Sequence, residues 1–170
     1  QMTYYKDTRR FGTFKIFHKD NSRLDKKLQT LGPDMLNDPP TFEEFLVCLR
    51  KKNHWNITKA LMDQKVVCGI GNYIKAEVLY RAKVSPWRNV GDISDEELEE
   101  IYKQTKFVIQ SSYDKKGATI RDYVMPDGSI GAYRFEFEVY AKKVSKHGHK
   151  VLQEDTPDKR KTWWCPDYQS

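Results

Sequence analysis

The 170 residues carry 30 Lys and Arg against 24 Asp and Glu, a net charge of +6, with 38% hydrophobic and 13% aromatic side chains. That balance describes a globular chain of one or two small domains rather than a disordered one, and its modest basic excess suits either a nucleic-acid partner or an ordinary lysine-rich surface. Three scattered cysteines, Cys48, Cys68 and Cys165, argue against a disulfide framework or a thiolate zinc site, and no apolar run is long enough to span a bilayer.

In chain order, Met2 to His18 reads as two strand-like runs around a turn at Lys6–Gly12, with Tyr, Phe, Thr and Ile alternating with polar residues. A lone hairpin is marginal in water, so this pair expects more sheet to lie on. The chain opens on Gln1 directly in strand-like sequence, without a charged-then-apolar signal segment, and so reads as the continuation of something longer. Leu31 to Phe42 is a turn-rich linker, within which Thr41 and Glu44 form a capping box that opens a helix to about Lys52. Helical runs follow over Thr58–Val67 and Asn72–Arg81, and Pro86 breaks the pattern. Ser94 and Glu97 make a second capping box, opening a helix to about Ser112 with Leu98, Ile101, Thr105, Val108 and Ile109 on one face. A helical turn is expected within 116–124, and 125–134 is a glycine-rich loop. From Phe135 the period changes to two, as in a half-exposed strand. The runs KVLQED and TWWCP are further strands, joined by the turn TPDKR, and their alternation sends Trp163 and Trp164 to opposite faces.

Between two helical runs stands Gly69-Ile70-Gly71-Asn72. Either glycine can take the left-handed conformation that ends a helix, and Asn72 suits the N-cap of the next. Two readings stand side by side: a turn between packed helices, or a helix start whose converging N–H groups hold an anion such as phosphate. Residues 142–161 hold seven Lys or Arg against three acids, a net +4 concentrated on one predicted hairpin.

Taken together, DTRRFG at 7–12, LGPDML at 31–36, the block KALMDQKVVCGIGNYIKAEVLYRAKVSP at 59–86, SDEELEEI at 94–101, KGATIRDYV at 116–124 and EVYAKK at 138–143 resemble the formamidopyrimidine-DNA glycosylase and endonuclease VIII (Fpg/Nei) family of base-excision repair. The resemblance covers the C-terminal part of such an enzyme. It implies an α+β fold: residues 1–30 as the last strands of an N-terminal β-sandwich, 31–134 as a helix–two-turns–helix DNA-binding domain, and 135–170 as a β-hairpin resembling the zincless finger of the Nei-like branch. The family's nucleophile, the amine of an N-terminal proline followed by glutamate, has no match at Gln1-Met2. No residue of this chain is therefore expected to be catalytic, and no cofactor or metal is expected.

The same resemblance implies the site. Asn72 and Gly71 would grip backbone phosphate, with Lys59 beside them and Arg160 reaching in from the hairpin. Arg9 and Phe11 would fill the gap left by a base turned out of the duplex, against the plainer reading of a surface arginine and a core phenylalanine. Arg121, Tyr123 and Arg134 would meet the lesion. Arg10 and Glu77 read as structural, and His147 and His149 as solvated rather than metal-bound. The implied partner is DNA containing oxidised bases or abasic sites, met by a monomer acting inside the cell at DNA, in a nucleus or at a viral or cytoplasmic replication site, with no role for a membrane. The implied activity is that of a glycosylase/AP lyase working by β,δ-elimination. The alternative is a non-catalytic nucleic-acid-binding protein that keeps the same clamp.

Overall fold

The computed structural model describes Ile16, residues 22–114 and residues 137–170. The strand-like runs within 2–18, the turn within 116–124 and the loop 125–134 lie outside the described residues, Ile16 apart. The chain divides into two compact units, Gln1–Thr30 and Leu31–Ser170. In the first, a short helix not singled out in the sequence, α1 (Arg23–Leu28), exposes every side chain. Asp25 in its first turn and Lys26 and Lys27 in its last complement the helix dipole.

In the second unit, α2 (Phe42–Arg50) begins at the expected capping box: the Thr41 hydroxyl accepts from Glu44 N at 3.3 Å and the Glu44 carboxylate accepts from Thr41 N at 2.9 Å. Phe45 and Leu49, one turn apart, are fully buried. Helix α3 (Ile57–Met62) is shorter than its sequence pattern. Asn56 caps it, accepting from Thr58 N, and Asp63 ends it by leaving helical geometry at φ −83, ψ 108. The Asp63 carboxylate then accepts from Lys65 N and its carbonyl from Val66 N, so the apolar residues of 64–67 form a turn rather than a further helical turn. Helix α4 (Asn72–Arg81) follows, then a short 3₁₀ turn at Val90–Asp92, and then α5 (Asp95–Asp114). The five residues expected on the inner face of α5 are all buried there.

Helix α4 is central. Seven successive residues, Ile74 to Tyr80, are buried, so the helix has no solvent face over that stretch. Ile74, Val78 and Leu79 join the main apolar core with Phe45, Leu49, Leu61, Ile101 and Val108. Ala76 and Tyr80 face a second cluster formed with Val139 and Cys165. That cluster seats the hairpin of β1 (Leu152–Thr156) and β2 (Arg160–Trp164), antiparallel with Leu152 opposite Trp164 and Thr156 opposite Arg160. Trp163 packs inward, its ring 4.4 Å from that of Tyr140, while Trp164 turns to the other face and donates through Nε1 to Glu154 at 2.5 Å. No helix among the described residues is long and apolar enough to cross a membrane.

One sequence expectation fails. The alternating run from Phe135 is not a strand over its described residues, 137–143. Its backbone donors go to a side chain instead. The buried Glu77 carboxylate accepts from the N–H groups of Glu138 at 2.9 Å, Val139 at 3.0 Å and Tyr140 at 2.8 Å. With those donors taken, the segment bends around the carboxylate rather than extending beside a neighbouring strand.

The capping box of α5 makes a prediction about acid. Glu97 accepts from Ser94 N at 2.8 Å and from both terminal nitrogens of Arg88, at 2.5 and 2.9 Å. The Arg88 guanidinium, chiefly, holds the carboxyl below its ordinary value of 4.5. A depressed folded value means stability that is present above about 4.5 and lost as pH falls through the lower folded value. Glu97→Gln should therefore lower Tm at neutral pH and converge with the parent protein in acid. A constant gap in Tm down to pH 2–3, on the order of the lowest carboxylate values, would remove the ion pair from the explanation.

Candidate nucleic-acid interface

The break before α4 is built from two glycines with different tasks. Gly69 has φ +94, the left-handed region that only glycine enters cheaply, and it turns the chain out of the preceding loop. Its N–H donates to the Gln64 side chain, whose amide donates to the Ile70 carbonyl, so the turn is held from within. Gly71 is the N-cap, at φ −108, ψ 179, a conformation open to any residue. A Cβ placed on Gly71 would meet nothing within 4 Å. The described residues therefore give no steric reason for glycine at 71; a bare Cα there leaves room for a close approach to the helix end.

Asn72 is the first residue of α4 and not its N-cap, which corrects the expectation from sequence. Its side chain leaves the helix end altogether, and Nδ2 donates to the Lys161 carbonyl on β2 at 3.0 Å. The carbonyl of that amide is buried without a partner among the described residues. Among the described residues no side chain caps α4, so none of them takes up the first-turn N–H groups at the positive end of the helix dipole.

The Asn72 bond brings the helix start against the basic hairpin. Lys159, Arg160 and Lys161 are all exposed, as are Lys142, Lys143, Lys146 and Lys150. Among the described residues no acid pairs with the Arg160 guanidinium. Of the acids in the hairpin, Asp158 is taken out of the surface: Lys75 from α4 pairs with its Oδ2 at 2.6 Å, the two side chains being 0% and 3% exposed. Burial pulls the Lys75 ammonium below the usual lysine range, while Asp158 holds it up. Neutralising Asp158 inside leaves the outer face of the hairpin more positive than its composition.

Lys59 is exposed on α3, with its ammonium 4.2 Å from the centre of the Trp55 ring; Lys52 lies 4.6 Å from the same ring. An indole face steadies a cation without neutralising it. Arg9, Phe11, Arg121, Tyr123 and Arg134 lie outside the described residues. Sequence reasoning missed Lys75, Asp158, Trp55 and Lys52. A lysine and an aspartate 83 residues apart carry no local signal of pairing.

At the expected finger, His147 and His149 place their rings 5.5 and 5.1 Å from that of Tyr168. Cys165 is buried, and burial pushes its thiol above the usual range, away from the thiolate that binds a metal. Among the described residues no three His, Cys, Asp or Glu side chains gather as a metal site. These residues do not fit a four-cysteine zinc finger.

Residues 31–124 match the family model of the formamidopyrimidine-DNA glycosylase H2TH domain, more than half of this chain. The formamidopyrimidine-DNA glycosylase of Listeria monocytogenes serotype 4b is 32% identical over 165 residues, covering 96% of this chain and 60% of the relative. That of Bacillus cereus (strain ATCC 10987) is also 32% identical over 165 residues, covering 96% and 59%. Among solved structures, the MutM (Fpg) protein from Thermus thermophilus is similar with a TM-score of 0.82 at 30% identity, over 96% of this chain and 62% of that one. MutM in complex with DNA containing carbocyclic 8-oxo-G gives 0.81 at 27% identity, over 96% and 60%. The chain thus spans about three fifths of the length of these relatives.

Proposed function

The chain belongs to the formamidopyrimidine-DNA glycosylase family, and from that premise we propose that it is the DNA-gripping C-terminal portion of a base-excision-repair glycosylase/AP lyase that removes oxidised bases and cleaves the strand by β,δ-elimination. The observation that carries this reading is the direct bond between Asn72, at a helix start that no described side chain caps, and Lys161, beside the exposed Arg160, which pairs with no acid among the described residues. The helix end offers free N–H donors and Arg160 a full charge, which is what backbone phosphate requires and base edges do not. Because the Asn72 amide is engaged with the hairpin, its part is to hold the two halves of the grip together, and the N–H groups behind Gly71 meet the phosphate. Lys59, steadied on Trp55, supplies a further phosphate contact.

Residues 1–30 are read as the end of a β-sandwich, 31–134 as the helix–two-turns–helix domain and 135–170 as the finger. The finger is assigned to the metal-free Nei-like type, supported by its single, buried cysteine and by histidines that pack on tyrosine. Arg9 and Phe11 are proposed as void-filling residues and Arg121, Tyr123 and Arg134 as lesion contacts. No residue of the chain is assigned to bond breaking. The partner is intracellular DNA carrying an oxidised base or an abasic site.

The test uses the 170-residue chain. Fluorescence anisotropy should show binding to a duplex with an abasic-site analogue that weakens steeply with salt. Borohydride should trap no covalent adduct on a duplex containing an oxidised pyrimidine. Absence of binding even at low salt would overturn the grip. A trapped adduct would place the nucleophile within these residues and overturn the division of labour.

A further inference from the structure

We infer that Lys75 is a positioning residue for the DNA grip, fixing from beneath the turn that presents Arg160. The inference rests on the DNA-binding reading above. Lys75 lies on the buried stretch of α4, and its ammonium reaches Asp158 in the loop between β1 and β2 at 2.6 Å. The other oxygen of Asp158 accepts from the Thr156 hydroxyl at 2.6 Å. With its single proton given to Asp158, that hydroxyl accepts from the Thr162 hydroxyl at 2.6 Å, on the strand whose Arg160 is paired with Thr156. A continuous set of short hydrogen bonds therefore runs from the centre of the helical body through Asp158 and Thr156 to Thr162 on β2, and the strand pairing sets Arg160 opposite Thr156.

The loop needs such support. Three residues, 157–159, separate the paired Thr156 and Arg160. Lys159 closes the turn through its N–H to the Thr156 carbonyl at 2.8 Å, and it does so at φ +60, which a non-glycine residue adopts at some cost. A two-stranded hairpin without further sheet is marginal in water. Trp163 seats its far end on the second core and Asn72 holds Lys161, but among the described residues it is Asp158 that ties the tip to the body. Stability alone is a weak reason for a buried ion pair, since apolar residues of like volume often do as well. Direction is a better one: an ammonium and a carboxylate at hydrogen-bond distance fix where the tip lies, and the arginine beside it must reach a phosphate at a set place.

The experiment is a double-mutant cycle in the 170-residue chain, with affinity for a duplex carrying a tetrahydrofuran abasic-site analogue read by anisotropy. Lys75→Met and Arg160→Ala should each weaken binding about tenfold, and the double variant should bind no worse than about twofold below Arg160→Ala alone. Lys75→Gln, which keeps an N–H donor near Asp158, should recover to within about threefold of the parent. Losses that multiply in the double variant would overturn the role of Lys75 alone, since it would then act without Arg160. An Arg160→Ala protein that binds like the parent would overturn the grip itself and Lys75 with it. If Lys75→Met does not fold, Asp158→Asn enters the same cycle, because it weakens the pair yet keeps an acceptor for Thr156; the same pattern of losses is expected and the same departures overturn it.

Discussion

Glu77→Ala should lower the free energy of unfolding by at least about 3 kcal/mol, the largest stability change expected of any single substitution here. The carboxylate accepts three successive backbone N–H groups, of Glu138, Val139 and Tyr140. Glu138 and Val139 are 6% and 0% exposed, so truncation leaves donors facing an apolar hole with little access to water. An orphaned buried donor costs about 1–3 kcal/mol, and the cavity adds to it. Burial pushes the Glu77 carboxyl above its ordinary range, against the pull of the three N–H groups and Arg81. Glu77→Gln should therefore be much milder. Val139 and Tyr140 both donate to Oε1, which Gln can supply, whereas Glu138 donates to Oε2, where Gln would place a competing NH2 group. A loss of about 1–2 kcal/mol is expected for Gln. Urea unfolding of the two variants measures the difference. An alanine variant within about 1 kcal/mol of the parent would show that the N–H groups find other partners, and the account of 137–143 would fail.

Arg160→Ala should weaken DNA binding about tenfold or more and do so evenly across sequences, because a phosphate contact carries no base information. The slope of log affinity against log salt should fall by about one, the phosphate charge no longer neutralised. Asn72→Ala should weaken binding to a similar degree yet leave that slope nearly unchanged, since Asn carries no charge. The loss acts through the hydrogen bond to Lys161 and not through a helix cap, because Gly71 holds the N-cap position. Titrations at several salt concentrations, on two unrelated duplex sequences, separate these outcomes. An Arg160→Ala effect confined to one sequence would mean base readout, and a slope change with Asn72→Ala would mean that the hairpin lysines had moved with it.

Much of this was legible in the sequence. Thr41 with Glu44 and Ser94 with Glu97 start helices by hydrogen bonds spanning three residues, so the signal and the structure share one short stretch of chain. The inner face of α5 follows from apolar spacing alone, and TPDKR turns where Pro and Asp favour it. The break at Gly69–Gly71 was visible too, although which glycine takes the left-handed conformation was not. The alternation after Phe135 misled because a period of two reports only which side chains face inward. It does not say where the backbone donors go, and over 138–140 they go to Glu77.

The tertiary structure alone decided the fate of the charges on α4. Lys75 would read as a surface residue of a helix, because burying an unpaired charge is prohibitive, and Glu77 read as structural with no partner in its local sequence. They are buried because the chain returns partners from 83 and from 61–63 residues away, and no local pattern encodes that return. The same holds for Asn72. Its residue type marks a helix start, but its amide serves a carbonyl 89 residues on, and that long-range bond is what sets the helix end beside the basic hairpin. Short-range hydrogen bonding and the periodicity of apolar side chains thus determined where the elements begin and which faces they bury. The positions of the charged groups at the interface came from the packing of elements distant in sequence, where a buried charge is stable only once its partner has arrived.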